Sequence, residues 1–396
     1  MSEHYLFLTV PDRGHVFPNL AVVEELVRRG NRVTYVTAPS LADRVEAAGA
    51  EFLPYESEYE DIDNKLENFN KGHGLHVLML VVDESAAMLR AVESHFGDER
   101  PDLVVYDVVT SHAGRILERK WGVPAVQTSP LFAQNEKFNF GSSFDDQGET
   151  EQPDMTPWVG KIMGLLGQHG LQVPFDEFFM KPADFTVVYV PREFQPFGES
   201  FDERFAFVGP CVGDRSFLQP WQPPETDLPI VLMSLGTLFN DLTDLFRVCV
   251  EAFTDAPLHA VISVGQATDP AAFGELPPNI EVHRWVAHLD VLEHAKAFVN
   301  HGGMGSVLEC LSVGRPMVVM PLGPVDRPTG KQVEQLGLGR MIPPAEVTPE
   351  LLRQTVLEVV EADLDENLAR MRQSIERAGG TTRAVNEIEG YLKRRR

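Results

Sequence analysis

The chain has 396 residues, enough for two domains of ordinary size, each with its own core. Its 59 acidic residues against 34 basic ones leave a net charge of −25, which disfavours nucleic acid and anionic membranes as partners. The 43% of hydrophobic residues suit a globular protein, and no apolar run approaches the length of a stable membrane insertion. Cys211, Cys249 and Cys310 are odd in number and lack metal-type spacing, so they read as reduced, buried thiols. Met1 to His4 carry no basic leader and run straight into a strand, so a cytoplasmic location is expected.

Residues 5–10 predict an apolar first strand, followed by a loop over 11–15. Pro18 suits the first turn of a helix whose apolar face is Leu20, Val23, Leu26 and Val27. Arg28, Arg29 and Gly30 then supply the cations and the glycine that a helix end prefers. A second strand over 33–36 completes a Rossmann-like start, although no G-x-G-x-x-G is present. A helix over 41–48 and a strand over 52–54 continue the alternation. Residues 56–71 are acidic and unpatterned, and read as a loop. A long helix over 75–96, a strand over 103–107 ending on Asp107, a helix over 113–120 and a strand over 125–128 follow. Residues 134–155 are rich in Gly, Ser, Asp and Glu and read as a second loop; strands at 185–190 and 205–208 end this half.

Pro220, Pro223, Pro224 and Pro229 mark 211–229 as a linker. Beyond it, strands are expected at 230–233, 260–264, 280–282, 298–300 and 317–320, apolar enough to be parallel and covered on both faces. Helices over 349–361 and 366–378 follow, and a last helix over 383–393 is expected to pack back on the first domain. The resulting organisation is a domain over 1–210, a linker over 211–229, a domain over 230–378 and a terminal helix within 379–396.

Residues 298–309 carry the most chemistry. A strand turns through Gly302 and Gly303 into a helix, leaving free backbone N–H groups and a helix dipole that suit an anion. Gly303, Gly305 and Ser306 are small enough for a diphosphate to approach the backbone. His301 can donate to a phosphate oxygen, and Glu309, one turn beyond Ser306, can accept from vicinal ribose hydroxyls. A plain strand–turn–helix with a capping serine fits the same residues. Upstream, Trp285 ends a strand 16 residues before His301 and offers an indole on which a base can stack, which would complete a nucleotide site.

Residues 285–309, then 321–326, resemble the nucleotide-sugar signature of family-one glycosyltransferases, closest to the bacterial macrolide and natural-product branch. The similarity extends over nearly the whole chain and includes Gly14-His15-Val16 and Ser234-Leu235-Gly236-Thr237. It implies an α/β chain of GT-B fold, two Rossmann-like domains facing across a cleft, with the acceptor on the first and the nucleotide sugar on the second. Ser234, Gly236, Thr237, Trp285, Val286, His301, Gly303, Gly305, Ser306, Glu309, Asp326 and Arg327 are the matching donor positions.

In such a fold the loops after the first and fourth strands open on the cleft, which brings His15 and Asp107 together. An alcohol must lose its proton as it attacks; a histidine can accept it, and a carboxylate on its other nitrogen fixes the tautomer. The resemblance assigns these roles, base and partner, to His15 and Asp107. Two departures concern the donor sugar. Arg327 stands where the relatives have Gln after Asp326, in a loop that is one residue shorter, and Ala287-His288 replaces the more usual Pro-Gln. Of the other histidines, His112 reads as a surface residue at a helix start, His73 and His76 as packing residues, and none has metal-ligand spacing.

The expected activity is inverting transfer of a sugar, most simply glucose from UDP-glucose, to a hydroxyl of a hydrophobic acceptor such as a macrolide or polyphenol. A dTDP-deoxysugar is the nearest alternative donor, since Glu309 would meet one ribose hydroxyl instead of two. A UDP-sugar 2-epimerase and a non-catalytic partner of the same fold are the rivals from other classes. No metal and no prosthetic group are expected beyond the nucleotide-sugar co-substrate, in a monomer or homodimer.

Overall fold

The structure, a computed structural model, describes residues 2–59, 74–140, 154–213, 220–236, 242–265 and 268–396. Thr237, His73, much of the acidic loop, most of the 134–155 segment and residues 214–219 of the linker lie outside the described residues.

Two parallel sheets organise the chain. The first is built by β1 (His4–Leu8), α1 (Arg13–Arg28), β2 (Arg32–Thr37), α2 (Ala42–Ala47), β3 (Glu51–Pro54), α3 (Gly74–Phe96), β4 (Leu103–Asp107), α4 (Ser111–Trp121), β5 (Ala125–Ser129), α5 (Thr156–Gln168), β6 (Thr186–Val188) and β7 (Phe205–Phe207). Its strand order is β3-β2-β1-β4-β5-β6-β7, with every pairing parallel. Tyr5 to Leu8 are almost fully buried, as a strand covered by helices on both faces must be.

The second sheet comes from β8 (Ile230–Ser234), α6 (Thr243–Phe253), β9 (His259–Ser263), β10 (Ile280–His283), α7 (His288–His294), β11 (Ala295–Asn300), α8 (Met304–Val313), β12 (Met317–Val319), α9 (Arg327–Gln335) and β13 (Gly339–Met341), in the order β10-β9-β8-β11-β12-β13. Helices α10 (Pro349–Glu361), α11 (Asp365–Ala378) and α12 (Gly380–Arg395) close the chain. The last returns to the first sheet: Ala384, Val385, Ile388, Tyr391 and Leu392 share a core with Val16, Val23 and Leu26 of α1. A second core joins the halves directly, packing Phe132, Val188, Phe194 and Phe207 with Leu232, Val261, Phe298 and Val307.

In each sheet the strand order reverses once between adjacent strands, at β1/β4 and at β8/β11. Such switch points leave a crevice at the carboxyl ends of the strands. His15 follows β1 and Asp107 ends β4; Gly236 follows β8 and His301 follows β11. The topology thus sets both halves of the site before any side chain is considered.

Local differences from the sequence pattern have physical causes. Helix α1 starts at Arg13, so Pro18 lies inside it and not in its first turn. The earlier start is made possible by Asp12, whose carboxylate accepts the Gly14 N–H at 2.7 Å and caps the helix. His15 therefore sits on the first helical turn rather than in a loop. Helix α5 falls between the second expected loop and the strand at 185–190, where no element is expected, and its buried residues Trp158, Ile162, Leu165 and Leu166 follow helical spacing. None of the described helices is long and apolar enough to cross a membrane.

Candidate active site

The N-terminal part of the site is a buried hydrogen-bonded chain. His15 Nδ1 lies 2.8 Å from Asp107 Oδ1, and the two residues are 7% and 1% exposed. That oxygen also accepts the Val109 N–H at 2.9 Å. Asn19, one turn after His15 on α1, donates to the His15 carbonyl at 2.9 Å and approaches Asp107 Oδ2 at 3.5 Å. Its own carbonyl accepts the Tyr189 hydroxyl at 2.8 Å. With Nδ1 committed to the carboxylate, Nε2 makes no bond to the described residues. Burial opposes a charge on His15, but the Asp107 carboxylate and its hydrogen bond, helped by Asp12, raise its pKa to about 9.

The second part is built on the loop between β11 and α8. Gly302 has φ +92° and donates its N–H to Asn300 Oδ1 at 2.8 Å, which turns the chain sharply. Gly303 caps α8 with no side chain, so the first-turn amides of that helix receive no side-chain acceptor. The His301 imidazole is bracketed by two glycines: a Cβ on Gly236 or on Gly303 would come within 2.5 Å of the ring. The parallel register that pairs Ser234 with Asn300 produces this meeting. His301 Nδ1 is closed off from solvent with no hydrogen-bond partner among the described residues, and burial, reinforced by His288, lowers the ring to about 4. The ring is therefore neutral at physiological pH and has a polar atom unused. At Gly305 an added Cβ would meet nothing within 4 Å, so the helix start is open on that side.

Asp326 reaches the same loop from the N-cap of α9, beyond β12. It packs against Gly302, where a Cβ would approach the Asp326 carbonyl to 3.0 Å, and its Oδ2 accepts the Gly323 N–H at 3.0 Å. Burial raises its pKa to about 7 against the opposing backbone bonds. Arg327 follows as the first residue of α9, half-buried, with no ion pair or hydrogen bond to the described residues. Val286 is buried beside the half-exposed Trp285. The Arg13 guanidinium of α1 lies over that indole, 5.3 Å from the ring centroid. Glu309 is approached by His288 Nδ1 at 3.8 Å.

His112 is a correction. It is buried, stacked on Phe179 with ring centroids 5.7 Å apart, and neither nitrogen has a hydrogen-bond partner among the described residues. Burial, with Arg115 nearby, lowers it to about 4. Helix α4 starts earlier than its apolar residues suggest, which carries His112 under Phe178 and Phe179. Sequence reasoning missed Asn19, Tyr189, Asp12 and Arg13. Two of them leave a signal: Asn19 stands four residues from His15 on a helix, flanked by apolar positions, and Asp12 is an N-cap residue type just ahead of that helix. Among the described residues no group of His, Cys, Asp or Glu has the arrangement of a metal site.

Residues 253–387 match the family described as erythromycin biosynthesis protein CIII-like, C-terminal domain. The demethyllactenocin mycarosyltransferase of Streptomyces fradiae is 37% identical, across 98% of this chain and 86% of its own length. The NDP-glycosyltransferase YjiC of Bacillus licheniformis is 34% identical, with 98% of each chain covered. The crystal structure of the calicheamicin glycosyltransferase CalG4 superposes with a TM-score of 0.86 at 40% identity, covering 100% of this chain and 99% of that one.

Proposed function

We propose that this chain, which belongs to the macrolide and natural-product glycosyltransferases of the family-one GT-B type, transfers glucose with inversion from UDP-glucose to a hydroxyl of a hydrophobic acceptor. The observation that carries the reading is the buried His15–Asp107 pair with Nε2 left free. In this reading Nε2 takes the acceptor's proton as its oxygen attacks the anomeric carbon. The bond from that carbon to the diphosphate breaks on the opposite face, and Asp107 stabilises the imidazolium that forms. The amides at the start of α8 and the His301 ring receive the leaving diphosphate. Residues 1–210 hold the acceptor and 230–378 the donor, in a cytoplasmic monomer or homodimer.

The test is incubation with UDP-glucose, with and without a phenolic or macrolide acceptor, followed by mass detection. A hexose added to the acceptor supports the reading. Isomerisation of the sugar nucleotide without acceptor would point instead to an epimerase. A dTDP-deoxysugar is the second reading, because the 37% relative is named for a sugar other than glucose. A product formed only from a dTDP-sugar would select it.

Trp285, Glu309, Ser234 and Gly236 are assigned to the nucleotide, with Thr237 alongside. Trp285→Ala and Glu309→Ala should each weaken UDP binding by about tenfold, the first through lost stacking and the second through unpaired ribose hydroxyls. Calorimetry with UDP measures this, and unchanged affinity in both variants would move the nucleotide elsewhere.

Asp326 and Arg327 are assigned to the sugar. Hydroxyls donating to Asp326 favour its ionised form, which burial alone disfavours. The guanidinium of Arg327, without an ion pair among the described residues, matches a carboxylate better than a neutral hydroxyl. If it faces the sugar, Arg327→Gln lowers the preference for UDP-glucuronate relative to UDP-glucose. A donor competition reads the ratio directly, and the same ratio in both proteins would show that Arg327 does not read the sugar.

A further inference from the structure

We propose that Arg13 is the cation that the N-terminal half contributes to the donor: in the empty enzyme it rests on Trp285, and it moves to the diphosphate once a base occupies the indole. The inference rests on the donor site assigned above and adds a residue to it. Arg13 is exposed on the first turn of α1, and its guanidinium spans from that turn to the loop after β10. It has no ion pair with the described residues, in a chain with 59 acidic side chains, and its guanidinium lies against the Trp285 ring instead.

Position gives the contact its meaning. Arg13 precedes His15 by two residues in the same helical turn and touches Trp285 at the other end of the site. A nucleoside diphosphate sugar stretched from a base on Trp285 to an anomeric carbon at His15 carries its diphosphate between these two points. Arg13 starts from the turn that carries His15 and reaches Trp285, so its side chain borders that path. The charge balance points the same way. The chain's net −25 opposes an incoming diphosphate, and the His301 ring that faces it is neutral. Helix amides supply only partial charge. A guanidinium resting on an indole is held by a modest attraction, so it can leave when a base competes for the ring. On the diphosphate it gains two charge-assisted hydrogen bonds and stays with the group as negative charge grows on departure.

The experiment compares the full-length wild type with Arg13→Gln and Arg13→Lys by calorimetry, using UDP, dTDP, uridine and thymidine as probes, together with donor KM and kcat. The Gln variant should bind the preferred diphosphate about tenfold more weakly and the matching nucleoside as well as, or better than, the wild type, because the ring is no longer covered. Arg13→Lys should recover part of the diphosphate affinity, since it keeps the charge without the planar fork. Unchanged diphosphate affinity in the Gln variant overturns the proposal. So does an equal loss for diphosphate and nucleoside, which would mean that Arg13 shapes the base pocket only. If the wild type binds neither UDP nor dTDP, the donor assignment itself falls, and this inference with it.

Discussion

Replacing His15 with alanine is expected to lower kcat by about 10²–10⁴-fold while UDP or dTDP affinity stays within about twofold. The split follows from where the residue stands. His15 is on α1 beside the first sheet, whereas the positions assigned to the nucleotide follow β8, β10 and β11 of the second. Removing the imidazole takes away the group that accepts the alcohol proton, and the amides at the start of α8 remain intact. It also leaves the Asp107 carboxylate, 1% exposed, with the Val109 N–H and the distant Asn19 amide. Some loss of stability should therefore accompany the loss of rate, and a denaturation curve on the same sample separates the two. Turnover equal to the wild type with an alcohol acceptor would assign the base to another group.

Much of this site was legible because parallel α/β chains put function at strand ends. An apolar run, a glycine turn and a new helix, as at residues 298–309, announce a switch-point loop with little ambiguity. Asp107 was visible as the carboxylate ending an apolar strand. What the sequence hid were relations between distant residues. Nothing local says that Tyr189 will reach Asn19 across 170 positions, or that Gly236 is glycine because His301 needs the space. The Arg13–Trp285 contact joins two sheets and has no sequence period at all. The start of α1 was misplaced for a different reason. Pro18 is a strong first-turn signal, but the Asp12 cap outweighed it and carried His15 onto the helix. Capping is a short-range interaction, so Asp12 ahead of the apolar helical pattern outweighs the proline further along.

The second large effect concerns Asp107, and its signature is a pH profile. In the wild type kcat/KM should climb as pH rises through about 9, because only neutral His15 can accept a proton and the fold holds its pKa at about 9 in the free enzyme. The sign for stability is fixed by the same shift. His15 has a folded value above its ordinary 6.5, so the ion pair contributes fully below pH 6.5 and its contribution is lost as pH rises through about 9. Asp107→Asn removes the carboxylate but keeps the size. Burial, the largest influence on His15 and a lowering one, then meets only the weaker field of Asp12, and the rising limb should move from near 9 to below 6.5. The variant will be in the neutral form at pH 7.5 and yet slow, by about 10²–10³-fold. An asparagine can present its amide N–H to Nδ1, which puts the proton on Nε2, where the acceptor alcohol must be received. A rising limb at lower pH together with slower chemistry in one variant is an outcome that a merely structural carboxylate would not produce. Rate profiles between pH 5.5 and 10, with denaturant midpoints on the same samples, read both parts. A rising limb at the same pH in wild type and Asp107→Asn would show that the titrating group is not His15.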